Sequence, residues 1–445
     1  MISSTPNYCN FLPLPNQADV LYDVENFDYS SGAFEFLLSG SVGSAKSLTL
    51  AHLIVDHCLS YEGAAIGIGR LALPRLKETL CQKIREHLYG IGVSYKYDET
   101  KGSFRFGNGS KIIPFSWTDK KYEKFRSYEL SAMVFEELSE NHGEHKKAYE
   151  EAAARVGRLT HVPVSWIGCA SNPDSPSHWV YKYFIQSNNP ARRTYYSVTS
   201  DNPFLPKSYI DKLLEIYDAK VAKRMIYGEW IEITDEVIYY TYDRKHNYRD
   251  YSYEVVDFAP VSVAFDFNIA IGKPLSIAFI QHINDQTHVF NEVTVEGLKT
   301  REALEEAFEK GLLPKHRKYI IQGDASGKNS DTRNNQSDYD IIEEFFTDKG
   351  LTYEMSVPRS NPGIKERHNI MNGRICNAKG VRRLFVYKDA PTADEGLRLT
   401  ALKKGASYVE NDKFRAQHIT TAIGYSLYDW LISRDDDESV SLLPR

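Results

Sequence analysis

Lys46 and Ser47 close the run Phe34–Ser47, FEFLLSGSVGSAKS, in which an apolar strand-like segment meets a turn of small residues and then an amphipathic helix. A lysine and a hydroxyl at that junction suit the phosphates of a nucleotide. Backbone N–H groups from Gly43 to Ser47 would wrap the anion, the helix N-terminus would face it, and Lys46 would add a point charge. Ser47 would hold the magnesium that accompanies the nucleotide. The pattern GxxxxGK[ST] starts at Gly40 and runs through Gly43 and Ser44, but it meets Ala45 where it asks for glycine. A methyl is expected there only with a negative φ. A serine/glycine turn ahead of a surface helix is the plainer alternative.

Two carboxylates could complete such a site. Ala132–Phe135 reads as a short buried strand, with Glu136 and Glu137 at its C-terminal end. In a parallel nucleotide-hydrolysing sheet the first would support hydrated magnesium and the second would polarise the attacking water. The run VSWIGCASNP is another buried strand, closing on Ser171-Asn172-Pro173. An asparagine at that tip can sense the γ-phosphate, although Asn-Pro is also an ordinary turn. Gln17, ahead of a short polar helix, can bond to the edge of adenine or is a surface glutamine.

A different chemistry is suggested further on. Asp266 lies between Phe265 and Phe267 in an apolar strand, and Asp324 ends the strand YIIQGD. A carboxylate there is costly unless hydrogen-bonded, paired or metal-bound. The two are 58 positions apart (324 minus 266). On adjacent strands they could share divalent metals and hydrolyse a phosphodiester. As turn caps at strand ends they would need no metal.

The elements that must carry these groups are legible as alternating strand and helix signals. AAIGIGR is a short buried strand, Pro74 starts a helix, and SFRFGNGSKIIPFSW is a hairpin around Asn108-Gly109. DKKYEKFRSYEL is a basic, aromatic loop, either beside a phosphate backbone or solvated. KKAYEEAAARVGR is a helix ending near Gly157, and SVTSDNPFLP opens into one long helix before GEW. A tyrosine-rich connector, 241–256, separates a first domain at 1–240 from a second at 257–435, with an acidic tail at 436–445. The second domain holds three strand signals from Val261, the strand before Asp324, the strand GLTYEM, and a last helix, AQHITTAIGYSLYDWLISR. His418, Thr421, Ala422 and Tyr425 share one face of that helix. The run Lys365-Glu366-Arg367 is expected on a solvated face.

Composition narrows the class. The 445 residues are 42% hydrophobic and 26% charged, as in soluble globular chains of two or three domains. Net charge is -6, with 54 basic against 60 acidic residues, so any nucleic-acid contact must be a local patch. Cys9, Cys58, Cys81, Cys169 and Cys376 are scattered without a CxxC pair, which suits a reduced intracellular protein. Neither a signal peptide nor a membrane span is expected.

Taken in order, these motifs resemble those of the large terminase subunit of tailed bacteriophages. Gln17 matches the adenine-contacting glutamine, GSVGSAKS the first phosphate motif, MVFEE the second, and Ser171-Asn172-Pro173 the coupling motif. SDNPFLP and GEW match the end of the ATPase domain, and Asp266 and Asp324 match two nuclease acids. The resemblance implies an α/β chain: a P-loop ATPase domain with a central, mostly parallel sheet, then a ribonuclease-H-like α/β nuclease domain. It implies ATP with Mg2+ in the first and Mg2+ or Mn2+ in the second, with His418 near the nuclease metals. It further implies ATP-driven translocation of double-stranded viral DNA into a procapsid and endonucleolytic cutting of concatemers. Implied partners are the small terminase subunit and the procapsid's portal protein. A homo-oligomeric ring would form on the portal, with the state of the free chain, monomer or not, left open. The setting would be the host cytoplasm during assembly, not the mature virion.

Three departures qualify that expectation. Val42 stands where the family often has arginine, so positive charge at the transferring phosphate would come from Arg70, Arg155, Arg158 or a neighbouring subunit. Glu136 replaces an aspartate. Thr421 replaces the third nuclease carboxylate, leaving Glu292, Asp338, Glu410 or a backbone group as substitutes, with Glu292 more readily a salt-bridge residue. Asp429, about 12 Å along the helix from Thr421, is too distant. The alternatives are a packaging ATPase with a weakened or inactive nuclease, an ATP-dependent helicase or repair enzyme, and a nucleotide-regulated scaffold.

Overall fold

The computed structural model describes residues 12–118, 122–140, 142–232, 237–267, 274–295, 297, 299–329, 336–403, 410 and 414–437. Cys9, the lysine-rich start of the basic loop at 119–121, part of the polar loop after Asp324 and the end of the acidic tail lie outside these residues. The chain forms two compact units, Met1–Ile210 with Ala222–Ile233, and Asp211–Val221 with Thr234–Arg445.

The first unit begins with α1 (Pro15–Asn26), β1 (Phe34–Gly40), α2 (Lys46–Ser60) and β2 (Ala65–Arg70). Next come α3 (Leu73–Leu76) and α4 (Gln82–Gly90), joined by a π-helical turn, Lys77–Cys81. The hairpin strands β3 (Tyr95–Asp98), β4 (Ser103–Phe106) and β5 (Lys111–Ser116) precede β6 (Ala132–Phe135), α5 (His142–Ala153), β7 (Trp166–Ser171) and β8 (Arg192–Ser197). The sheet order is β3-β4-β5-β2-β6-β7-β1-β8, and the six strands from β5 to β8 are parallel. Central parallel strands are covered on both faces, which is why Phe34–Gly40, Ala132–Phe135 and Trp166–Ser171 read as nearly unbroken apolar runs. Register sets Ser39 beside Ser171 and Phe135 beside Cys169. The P-loop, the Glu136-Glu137 pair and Asn172 therefore leave the sheet along one carboxyl edge.

The single long helix expected after SDNPFLP is two helices, α6 (Tyr209–Ile216) and α7 (Ala219–Met225). Asp218 causes the break: its carboxylate accepts from the N–H groups of Lys220 at 2.8 Å and Val221 at 3.1 Å, starting a new helix. Asp211–Val221 is fastened within the second unit. There Ala378 N–H donates to Tyr217 O at 2.7 Å, and a Cβ on Gly373 would lie 2.0 Å from Ile216 O.

The second unit continues with α8 (Arg244–Asn247), β9 (Tyr248–Arg249), β10 (Val261–Asp266), β11 (Leu275–Ile283), β12 (Gln286–Val295) and α9 (Thr300–Glu309). It ends with β13 (Lys318–Gly323), α10 (Asp338–Lys349), β14 (Thr352–Met355), α11 (Ile364–Ile375), β15 (Leu384–Tyr387), α12 (Pro391–Leu399) and α13 (Gln417–Asp437). The sheet order is β14-β13-β10-β11-β12-β15-β9. Alternation along β10 sends Val261, Val263 and Phe265 to a core with α9 and α10, and Ala264 to a core with α11 and α13. No described helix is long and apolar enough to cross a membrane.

Arg367 departs from the expected solvated face. It is buried on α11, with Nη2 2.7 Å from Glu410 and its guanidinium 5.0 Å from the Tyr425 ring centroid. Gly424 makes the room, since a Cβ there would sit 2.7 Å from Arg367 Cδ.

Candidate functional site

At the end of β1 the chain passes so close to β8 that a Cβ on Gly40 would lie 2.2 Å from Ser197 Oγ. Gly43 takes φ +75°, and Ala45 takes φ +64°, the left-handed region. The expectation of a negative φ at Ala45 is thus overturned: the loop closes onto α2 in the conformation the missing glycine would adopt, and the methyl is carried at a steric cost. Within the loop Val42 N–H donates to Met225 O at 2.9 Å and Ser44 N–H to Ser41 O at 3.4 Å.

Lys46 is buried, with Nζ 2.8 Å from both Gly40 O and Ser41 O and 3.0 Å from Asn172 Oδ1. Burial pulls its pKa down to about 8, against the opposing charges of Glu137 and Glu136. Asn172 Nδ2 in turn lies 3.2 Å from Glu137 Oε2. Glu137 itself has φ +52°, a turn that redirects the chain immediately after β6. Ser47 Oγ donates to Glu136 Oε1 at 3.1 Å. Glu136 is buried, which raises its pKa; Thr79 on the π-helical turn and Arg70 at 3.5 Å oppose that rise. A hydroxyl and a carboxylate facing each other beside the phosphate loop are hard oxygen donors and fit magnesium.

Gln17 occupies the first turn of α1 rather than preceding it, and it is not on the surface. Its Nε2 donates to Thr49 Oγ1 at 2.9 Å and its Oε1 accepts from Leu14 N–H at 2.8 Å. With Asn16, Ser44, Lys46, Thr49 and Tyr195 it lines a cleft beside the P-loop.

Of the three arginines considered, only Arg70 stands at this edge. It lies 3.5 Å from Glu136 and 3.1 Å from Glu140. Arg155 belongs to the opposite edge, where its carbonyl accepts from Leu130 N–H ahead of β6, and Arg158, just beyond, is exposed.

In the second unit β10 and β13 are parallel neighbours, with Phe265 beside Gly323, so Asp266 and Asp324 follow at adjacent strand ends. Gly323 takes φ +147°, and a Cβ there would lie 2.4 Å from Phe265 O. Asp266 is buried and accepts from His418 Nδ1 at 2.7 Å. The histidine thus stands against one of the two acids. Asp324 caps a turn, its Oδ1 accepting from Ser326 N–H and Asn361 Nδ2, both at 2.7 Å. Tyr425 lies near both acids: burial raises its hydroxyl pKa, and Asp324 and Asp266 push the same way while Arg367 opposes.

The substitutes for a third carboxylate are all engaged elsewhere. Glu292 caps α12, accepting from Thr392 N–H at 2.6 Å and Ala393 N–H at 2.8 Å, and so makes a helix cap where a salt bridge was expected. Asp338 accepts from Thr300, and Glu410 holds Arg367 and, at 2.6 Å, His368. Asp429 accepts from Gln322 at 2.6 Å, deeper along α13. Among the described residues no group of three or more His, Cys, Asp or Glu is arranged to hold a metal ion. Two neighbouring carboxylates fit one divalent cation that keeps waters of its own. Among the described residues they do not complete a two-metal set.

Sequence reasoning missed Thr79, Asn361, and the buried pair Asp174–Arg224 at 3.0 Å. Each touches a residue far away in sequence, and no local pattern announces such a contact.

Comparison with known proteins agrees with the motifs. Residues 33–229 match the phage terminase large subunit family. The PBSX phage terminase large subunit of Bacillus subtilis (strain 168) is 28% identical over 222 residues, 44% of this chain and 49% of the relative. That match spans about half the length of the curated relative. The large terminase of a thermophilic bacteriophage superposes with a TM-score of 0.70 at 14% identity, covering 94% of this chain and 98% of that one. The same protein in complex with ATP-gamma-S gives 0.67 at 15% identity, covering 93% and 98%. The chain is therefore similar to phage large terminase subunits over residues 33–229, and its two α/β units share the fold of the thermophilic phage's protein.

Proposed function

We propose that the chain is an ATP-driven motor that moves double-stranded viral DNA into a procapsid, and that its second unit cuts that DNA. The observation that carries the first half is the chain of contacts Lys46–Asn172–Glu137 beside the Ser47–Glu136 pair. That a large terminase of the same fold takes ATP-gamma-S supports a nucleotide as the ligand.

Ser47 and Glu136 would hold magnesium, which when bound neutralises charge on the phosphate oxygens. Lys46 would leave the carbonyls of Gly40 and Ser41 for the incoming phosphates. Glu137, released from Asn172, would orient water and take its proton. Asn172 bonds to Lys46 on one side and Glu137 on the other, so it would report the γ-phosphate's presence. The partners in this reading are the small terminase subunit and the portal, with a ring of copies forming on the latter.

The test is phosphate release from ATP by the purified chain. Glu137→Ala should lower it about 100-fold or more. Undiminished release by the variant, or none from the unaltered chain, would overturn the reading.

A second reading, in which packaging proceeds with a weakened nuclease, is favoured by Thr421 and by the engagement of Glu292, Asp338, Glu410 and Asp429. Plasmid with Mn2+ separates the two. Cutting that Asp266→Ala abolishes supports the nuclease; no cutting by the unaltered chain supports the weakened form.

A further inference from the structure

We infer that the buried ion pair between Asp174 and Arg224 carries the state of the nucleotide site to the segment 224–232, by which the chain leaves the first unit. The inference rests on the ATPase reading above and extends it to a pair of positioning residues.

Asp174 follows Asn172 by two positions, across Pro173, whose ring fixes one backbone dihedral and stiffens the link. Asp174 Oδ1 lies 3.0 Å from Arg224 Nη1, and the two side chains are only 9% and 6% exposed. The remaining donors of Arg224 turn the other way: Nε and Nη2 reach Ile231 O at 3.1 and 2.6 Å. One rigid, planar guanidinium therefore spans the turn that follows Asn172 and a carbonyl near the end of the unit. Water has little access to the ion pair, and the Ile231 contact is part-buried, so a displacement of Asp174 is passed to Ile231 more than it is absorbed by solvent.

Two other contacts bind the same segment to the phosphate loop. Met225 O accepts from Val42 N–H at 2.9 Å, and Trp230 Nε1 donates to Ser39 Oγ at 2.8 Å, one residue before Gly40. The segment thus touches the P-loop, the end of β1 and the Asn172 turn, the three places that a bound γ-phosphate would shift. Buried ion pairs are weak evidence for stability, and one bridging two strips of chain serves better to fix their relation.

The test is amide hydrogen exchange of the full chain, free, with Mg2+ and ADP, and with Mg2+ and ATP-gamma-S. ATP-gamma-S should slow exchange over 40–60, and exchange over 222–232 should differ at least about 2-fold between the two nucleotides. In Arg224→Lys, and in the double variant Asp174→Asn, Arg224→Met, the difference over 222–232 should vanish while protection over 40–60 persists. The double variant removes both charges, so neither is left buried alone. No protection over 40–60 in the unaltered chain would count against the ATPase reading. Protection there without a nucleotide-dependent difference over 222–232, or a difference that survives in the variants, would overturn the coupling role.

Discussion

Lys46 and Asn172, 126 residues apart in sequence, meet at 3.0 Å, and the same asparagine amide reaches Glu137. The base proposed for hydrolysis is held by the residue that also holds the lysine proposed to bind phosphate. Asn172→Asp keeps the acceptor for Lys46, removes the donor to Glu137 and adds a like charge beside it. Steady-state hydrolysis should show kcat reduced about 10- to 100-fold with KM changed far less, since the loss falls on the chemical step.

The free site holds Lys46 with its pKa lowered to about 8, so above that pH the amine is increasingly neutral. A bound polyphosphate favours the ammonium and would raise the pKa again. ATP affinity should therefore fall as pH rises through about 8, and binding at about pH 9 should take up close to one proton, with almost none at about pH 7. Calorimetry in buffers of different ionisation enthalpy measures that uptake.

Ala45 at φ +64° is in a conformation that costs a residue with a Cβ roughly 1–2 kcal/mol. Ala45→Gly relieves it but loosens the unfolded chain, so the net gain should be about 0.5–1 kcal/mol in the unfolding of the first unit. ATP affinity should not fall. A destabilised Ala45→Gly variant would show that neighbouring contacts hold the methyl favourably.

Thr421 lies one turn from His418 and one from Tyr425, on the α13 face that meets Asp266 and Asp324. Thr421→Asp should supply the missing carboxylate, raising Mn2+-dependent plasmid cutting about 10-fold and lowering the Mn2+ concentration needed. A variant that folds but cuts no better would mean that the acids are placed for some other purpose.

Much of the architecture was legible because parallel strands covered on both faces write themselves as apolar runs. Phe34–Gly40, Ala132–Phe135 and Trp166–Ser171 are such runs, and their C-terminal ends carry Lys46, Glu136, Glu137 and Asn172 to one edge. What stayed hidden depends on partners distant in sequence. Arg367 looks like one of three surface charges until Glu410 and the gap at Gly424 give it a place inside. Glu292 looks like a salt-bridge residue until α12 presents its N–H groups. The break at Asp218 was missed because one aspartate in an otherwise helical pattern does not reveal whether its carboxylate turns outward or caps the next helix. The φ of Ala45 followed from loop closure, against the preference of the residue itself.

Asp211–Val221 packs with the second unit although the chain returns to the first before leaving it for good. A nicked chain, broken once after residue 237, would therefore not come apart into halves. The N-terminal piece would still own the strip whose Tyr217 O accepts from Ala378 N–H and whose Glu215 O accepts from the Asn377 amide at 2.9 Å. The pieces would migrate together as a complemented pair. A C-terminal piece produced alone would lack a part of its own fold until the strip was supplied in trans.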